Sequence, residues 1–148
     1  MDVKVFYLDE DEKGDYGFTT GNSATSVTGN AKLVQKFMIT LFDKGFRFDT
    51  PDGEYIESYG GSFTEVIKNY NLNNDVNSLN AAIVLAINNT VESIRLEQDS
   101  ASKIRATERL KSANLNAINI DGDIVGISIK VIPEEEDGAN LILDVPMV

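Results

Sequence analysis

Carboxylates dominate the ionisable residues of this chain. There are 24 Asp and Glu against 13 Lys and Arg, with no His, Cys or Trp in 148 residues. Without His, the commonest general base and the usual metal ligand are missing, and no Ser-His or Cys-His pairing can form. Without Cys there is no disulfide framework, thiolate nucleophile or cysteine zinc site. Without Trp, one common sugar-stacking surface is gone. The carboxylates could in principle serve two chemistries: calcium binding, or an acid pair flanking a glycosidic bond.

Neither option finds its pattern. Asp9, Glu10, Asp11, Glu12 and Asp15 cluster as in a calcium loop, and Gly14 takes the sixth position of the twelve-residue frame. But Lys13 falls on a ligand position and Thr20 stands where the bidentate Glu belongs, so the run reads as a solvated turn. For hydrolysis, 24 acids will always supply some pair, so availability decides nothing. An acid tuned for catalysis needs an apolar pocket to raise its pKa, and no carboxylate lies in a stretch that forecasts one. No catalytic, cofactor-binding or metal-binding residue is therefore assigned.

The net charge of −11 repels a phosphate backbone, and no basic cluster offsets it, so a nucleic-acid partner is not expected. Solubility accounts for the acidic balance by itself. A membrane partner is not expected either: the longest apolar run, Ala81 to Ile87, is far too short to span a bilayer. The N-terminus, MDVKVFYLDE, lacks the basic start and apolar core of a signal peptide.

The elements that would position these side chains can be read from periodicity. Residues 3 to 8, VKVFYL, form a short strand, and one more short strand fits near Tyr16 to Thr20, before a loop rich in Gly, Ser, Thr and Asn. Residues 1–29 thus make an N-terminal strand and surface arm, and 30–148 a single domain. Asn30 can cap a helix running to about Asp43, with Leu33, Val34, Phe37 and Leu41 as its apolar stripe. Gly45 stops it. Lys44 to Phe63 carries Pro51 and Gly at 45, 53, 60 and 61, which predicts an irregular connection. Its aromatic content must pack on something, so it could be a lid, a docking surface or a well-packed link.

Ser62 to Asp121 contains neither Gly nor Pro. FTEVIKNY predicts a short helix. From Asp75, the positions Val76, Leu79, Ile83, Ile87, Val91 and Ile94 recur at three or four, an amphipathic helix. It either continues to Leu110, roughly 50 Å at 1.5 Å per residue, or breaks near Asp99 and Ser100, which could cap a second helix. The tail then changes to period two. In DIVGISIKVIP, Ile127, Ile129 and Val131 share one face, and Ser128 and Lys130 the other. IDGD and EEEDGAN are turns, with ANLNAINI before and NLILDVPMV after as antiparallel partners. In the last, Leu141, Leu143 and Val145 alternate with Ile142 and Asp144. The expected class is α+β, amphipathic helices packed on a small antiparallel C-terminal sheet.

Three features in this order resemble the baseplate wedge or sheath-initiator family of contractile phage tails, the "lysozyme-like" baseplate assembly proteins. One is the helix carrying Ile39-Thr40, followed by Lys44-Gly45-Phe46-Arg47 and then a Pro and a Gly. Another is the amphipathic helix leading into Glu108-Arg109-Leu110, here without the Pro that often separates Glu from Arg. The third is the set of strands after that motif. The resemblance covers about residues 30 to 148.

It implies a structural protein of the virion, made in the host cytoplasm and arranged in a ring around the tail tube. Its sheet would accept extended strands of the tail sheath protein by β-augmentation, while its helical part docks onto baseplate wedge proteins. Tail tube or hub proteins would be further neighbours. The partner-binding residues so implied are Lys44, Arg47, Glu108 and Arg109, with Leu141, Leu143, Asp144 and Val145 on the last strand. That strand is apolar, and three strands alone cannot fully shield it. A cell-wall hydrolase, or the equivalent module of a secretion system or bacteriocin, are the alternatives.

Overall fold

The computed structural model describes residues 4–8, 16–17, 29–58, 60–101, 103–135 and 137–146. The elements run β1 (Lys4–Leu8), β2 (Tyr16–Gly17), α1 (Asn30–Phe42), β3 (Phe46–Asp49), β4 (Tyr55–Ser58) and α2 (Phe63–Asn73). They continue with α3 (Val76–Ser100), β5 (Leu110–Asp121), β6 (Ile124–Pro133) and β7 (Ala139–Pro146). The class is α+β, with helices packed on an antiparallel sheet. The acidic run at residues 9–15 lies outside the described residues.

The C-terminal meander forms as its alternation predicts. Val125, Ile127, Ile129 and Val131 of β6 are buried, and so are Leu141, Leu143 and Val145 of β7. The β5–β6 turn closes over two residues, Gly122-Asp123, with Gly122 at φ 56°. A positive φ at the first central position suits a tight hairpin and favours Gly there. The sheet does not stop at three strands, however. Its order is β2-β1-β7-β6-β5, and β1 lies antiparallel to β7 from Lys4 opposite Asp144 to Leu8 opposite Asn140. The last strand, expected to have an unshielded side, is therefore bordered on both sides.

α1 buries Leu33, Val34, Phe37 and Leu41 as its stripe predicts, but Asn30 does not cap it. Asn30 is the first helical residue, Gly29 (φ 65°) holds the cap position, and the Asn30 amide instead donates to the Asp137 carbonyl at 2.9 Å. α3 is capped by Asp75, whose carboxylate accepts from the Asn77 and Ser78 N–H groups at 3.1 and 3.4 Å and from the Ser78 hydroxyl at 2.7 Å. The Ser78 hydroxyl above all, with the Ser78 and Asn77 N–H groups, holds the Asp75 carboxyl below the usual range, against a smaller opposing effect of burial.

The helix ends at Ser100, about 38 Å from its start at 1.5 Å per residue. The longer rod is not formed. The break comes where Asp99 and Ser100 stand, but no second helix follows among the described residues; the chain turns through 106–109 directly into β5. On α3, Leu79, Ile83, Ile87 and Ile94 are buried as the spacing requires, whereas Val76 is 52% exposed.

The connection after α1 is more regular than its glycines imply. β3 and β4 form a hairpin, with Phe48 opposite Ile56 and Arg47 opposite Glu57. Gly53 N–H donates to Thr50 O at 3.1 Å, and Thr50 N–H to Glu54 O at 2.8 Å. Pro51 fixes φ at the second turn position and Gly53 supplies φ 81°, the pairing such a turn demands. Gly61 then crosses over α1 and α3. A Cβ there would lie 2.5 Å from Leu41 O and 2.7 Å from Thr90 Oγ1, so only glycine fits. The crossing seats Phe63 edge-on against Phe42, ring centroids 5.3 Å apart.

Candidate partner-binding site

On β7, backbone and side chains serve different ends. Leu141, Leu143 and Val145 point toward the helices and are 0% exposed. Each such burial contributes about 1.5–3 kcal/mol, so this row anchors the strand and cannot meet a partner through its side chains. Asp144 lies on the opposite face, half-buried beside Gly126, where an added Cβ would stand 3.3 Å from its Oδ1. The glycine leaves room for the carboxylate.

The two sides of the sheet differ in regularity. β7 pairs with β6 from Ala139 to Pro146 and with β1 from Asn140 to Asp144 in unbroken register. β5, at the other edge, has register shifts between Leu110 and Ser112 and between Leu115 and Ala117. Bulges of this kind blunt an edge against further pairing. A cleft beside β5, lined by Val76, Asn80, Leu115, Ile118 and Ile120, adds apolar surface there.

Glu108 and Arg109 stand at the helix-to-sheet junction, tied to their own chain. Glu108 accepts from Lys32 Nζ at 3.0 Å and from Gly29 N–H at 3.3 Å, placing a carboxylate at the N-terminus of α1 where the helix dipole favours it. The Arg109 guanidinium donates to Asp99 at 3.2 Å and lies 3.9 Å from Glu134. Buried Gln98 clamps the chain between them: its amide donates to Glu108 O at 2.9 Å and accepts from Leu110 N–H at 2.8 Å. Glu134 N–H and Glu135 N–H close the corner on Arg109 O and Ala106 O.

The Lys32 hydrogen bond above all, helped by Gly29 N–H and the charges of Lys32 and Arg105, holds the Glu108 carboxyl below the ordinary carboxylate range despite partial burial. A carboxylate with a lowered folded pKa stabilises fully above its unfolded value, about pH 4.3, and loses that contribution as pH falls through the lower folded value. Glu108→Gln keeps an acceptor for Gly29 but loses the charge. We expect it to cost about 1 kcal/mol at pH 7. In denaturant melts the gap to wild type should close as the pH falls toward 3. A gap independent of pH would contradict this ionic role.

Lys44 is exposed and pairs with Glu65 at 3.4 Å, an interaction worth about 0–1 kcal/mol. Arg47 sits on β3. These two follow the C-terminus of α1, while Glu108 meets its N-terminus, roughly 20 Å away for 13 residues. The eight residues singled out from sequence therefore fall in three places: the β7 row, the helix-to-sheet corner and the base of the β3–β4 hairpin. Gln98 and Lys32 were missed, and Asp99, expected as a helix cap, instead pairs with Arg109. Gln98 continues the α3 stripe four residues after Ile94, and a polar residue on an apolar stripe is the signal that could have found it.

No family model, curated protein or solved structure matches this chain. Among the described residues no three metal-ligating side chains gather, and no helix is long and apolar enough to cross a membrane.

Proposed function

We propose that this chain is a structural baseplate component of a contractile tail that seeds sheath assembly by taking a sheath strand onto its sheet. The observation that carries the reading is the sheet around β7: a bulge-free strand locked into the core by Leu141, Leu143 and Val145 and paired in unbroken register with both β6 and β1 (Lys4–Leu8). β-Augmentation adds a strand at a sheet edge, where backbone bonds supply affinity and alternate side chains supply register, and a strand as fixed as β7 gives the sheet the rigid frame such an edge needs. In this reading the helical face meets wedge proteins, with exposed Leu85 and Leu96 of α3 as apolar anchors. The corner braced by Glu108 and Arg109 presents a rigid shape there. Copies stand in a ring around the tail tube, next to tube or hub proteins, and no catalytic step is involved.

Purified protein mixed with the sheath protein of its own particle should shorten the lag of sheath polymerisation, followed by light scattering and negative stain. The same preparation should leave a peptidoglycan suspension turbid over hours. An unchanged lag contradicts the seeding role. Clearing that depends on one Asp or Glu replaces it with a hydrolase.

A further inference from the structure

β5 is the last strand of the sheet, and no described strand lies beyond it. Both of its register shifts fall before Ala117. From there the ladder is regular: Ala117 opposite Ser128, Ile118 opposite Ile127, Asn119 opposite Gly126, Ile120 opposite Val125 and Asp121 opposite Ile124. The bulges therefore blunt only the first half of this edge. The pair closing a two-residue hairpin exchanges both backbone bonds, and bonded and non-bonded pairs alternate from it. Asp121, Asn119 and Ala117 thus turn their N–H and C=O groups to β6. In keeping with this, a Cβ added to Gly126 would lie 3.5 Å from Asn119 O. Ile118 and Ile120 turn theirs outward, on a run where Ala117, Asn119 and Asp121 are exposed.

The cleft between β5 and the start of α3, about 450 Å³, lies beside this open ladder. Ile118 and Ile120 stand opposite buried Ile127 and Val125, so they occupy the helix side of the sheet. With Leu115 and the 52% exposed Val76 they give the cleft its apolar lining. Its surroundings are acidic. Exposed Asp121 and Asp123 flank the turn, exposed Asp75 precedes Val76, and among the described residues no Lys or Arg lines the cleft. We propose that Ala117 to Asp121 is a docking edge for an extended segment of another protein. That segment is basic where it meets the β5–β6 turn and apolar at the alternate positions that fall over the cleft. Backbone bonds to Ile118 and Ile120 hold it, and the side chains set its register. A second copy is the wrong occupant, because two chains of net charge −11 would bring acidic edges together. β6 separates this edge from β7, so the proposal goes beyond the seeding reading.

The probe is a fluorescent peptide, Lys-Val-Thr-Val-Thr-Val-Thr-Lys, basic at both ends so that either strand direction is served. Anisotropy with the full-length chain should show saturable binding. A peptide with Glu at both ends should bind about tenfold more weakly, since attraction is exchanged for repulsion. Asp121→Lys with Asp123→Lys should invert that preference. Ile120→Pro removes an outward N–H, a change edge strands tolerate, and should abolish binding while far-UV circular dichroism is kept. Amide hydrogen exchange by NMR locates the contact. In the free protein the Ile118 and Ile120 amides should exchange fast, while those of Ala117, Asn119 and Asp121 are protected. With the Lys peptide at ten times its Kd, the two isoleucine amides should slow by about tenfold.

No saturable binding of the Lys peptide overturns the proposal. So does binding that leaves the Ile118 and Ile120 amides fast, or protection of both amides in the free protein, even if the proline variant fails to fold. Equal affinity for the Lys and Glu peptides removes the basic partner, and a concentration-dependent dimer that protects these amides assigns the edge to a second copy; either result overturns the proposal. None of these outcomes depends on the sheath polymerisation lag, so the docking edge and the seeding role fail separately.

Discussion

Leu143→Pro should abolish cooperative folding. Leu143 is 0% exposed and stands between Ile127 of β6 and Val5 of β1, so its N–H faces a neighbouring strand whichever way it points. Proline removes that donor and fixes φ, and mid-sheet positions exclude it for both reasons. Truncating the buried leucine side chain adds about 2–5 kcal/mol. The combined loss, above about 5 kcal/mol, reaches the total stability of an ordinary domain. Far-UV circular dichroism in a urea titration should show no sigmoidal transition. A midpoint close to wild type would mean that β7 is not the central strand described here.

Gln98→Leu should have the next largest effect. Its volume is close to that of Gln, so packing is nearly kept, but two backbone groups lose their partners. Leu110 N–H and Glu108 C=O are held by this one amide at 2.8 and 2.9 Å, and Leu110 is 2% exposed. Leaving a buried polar group unsatisfied costs about 1–3 kcal/mol, so roughly 2–6 kcal/mol is expected for the pair by the same reasoning. Gln98→Glu separates the two bonds: the carboxylate still accepts from Leu110 but can no longer donate to Glu108 O. Urea midpoints should rank wild type above both variants. A shift below about 0.5 kcal/mol, the scatter of ordinary surface changes, would show that water replaces the clamp.

Legibility from sequence followed the range of the governing interaction. Periodic burial is local, so the α1 and α3 stripes and the alternation of β6 and β7 could be read directly from Leu33, Ile83, Ile129 or Leu143. The two short N-terminal strands were legible as strands, but the place of β1 beside β7 was not. That pairing joins opposite ends of the chain and leaves no local trace. The β3–β4 hairpin had a signal, Thr50-Pro51-Asp52-Gly53 between two alternating runs, which the Pro and the several Gly of the segment obscure because together they also suit an irregular connection. The end of α3 was harder. Ser100 and Ala101 carry no Gly or Pro, and the chain leaves the helix because Gln98 captures residues 108–110 from across the corner. The role of Glu108 depends on Lys32 and Gly29, 76 and 79 residues away, beyond any pattern in a single sequence.

The central claim, that the β7 side of the sheet seeds the sheath, is tested most directly in particles carrying Asp144→Lys. The side chain is half-buried on the face away from the helices, and its substitution leaves the core row untouched. Thermal melting should move by no more than a surface charge change warrants, about 1 kcal/mol or less. Negative-stain images should nonetheless show baseplates bearing naked tubes, because the substitution reverses the charge that this face of the sheet offers to a partner. Full-length sheaths on particles that incorporate this variant at wild-type levels would contradict the claim.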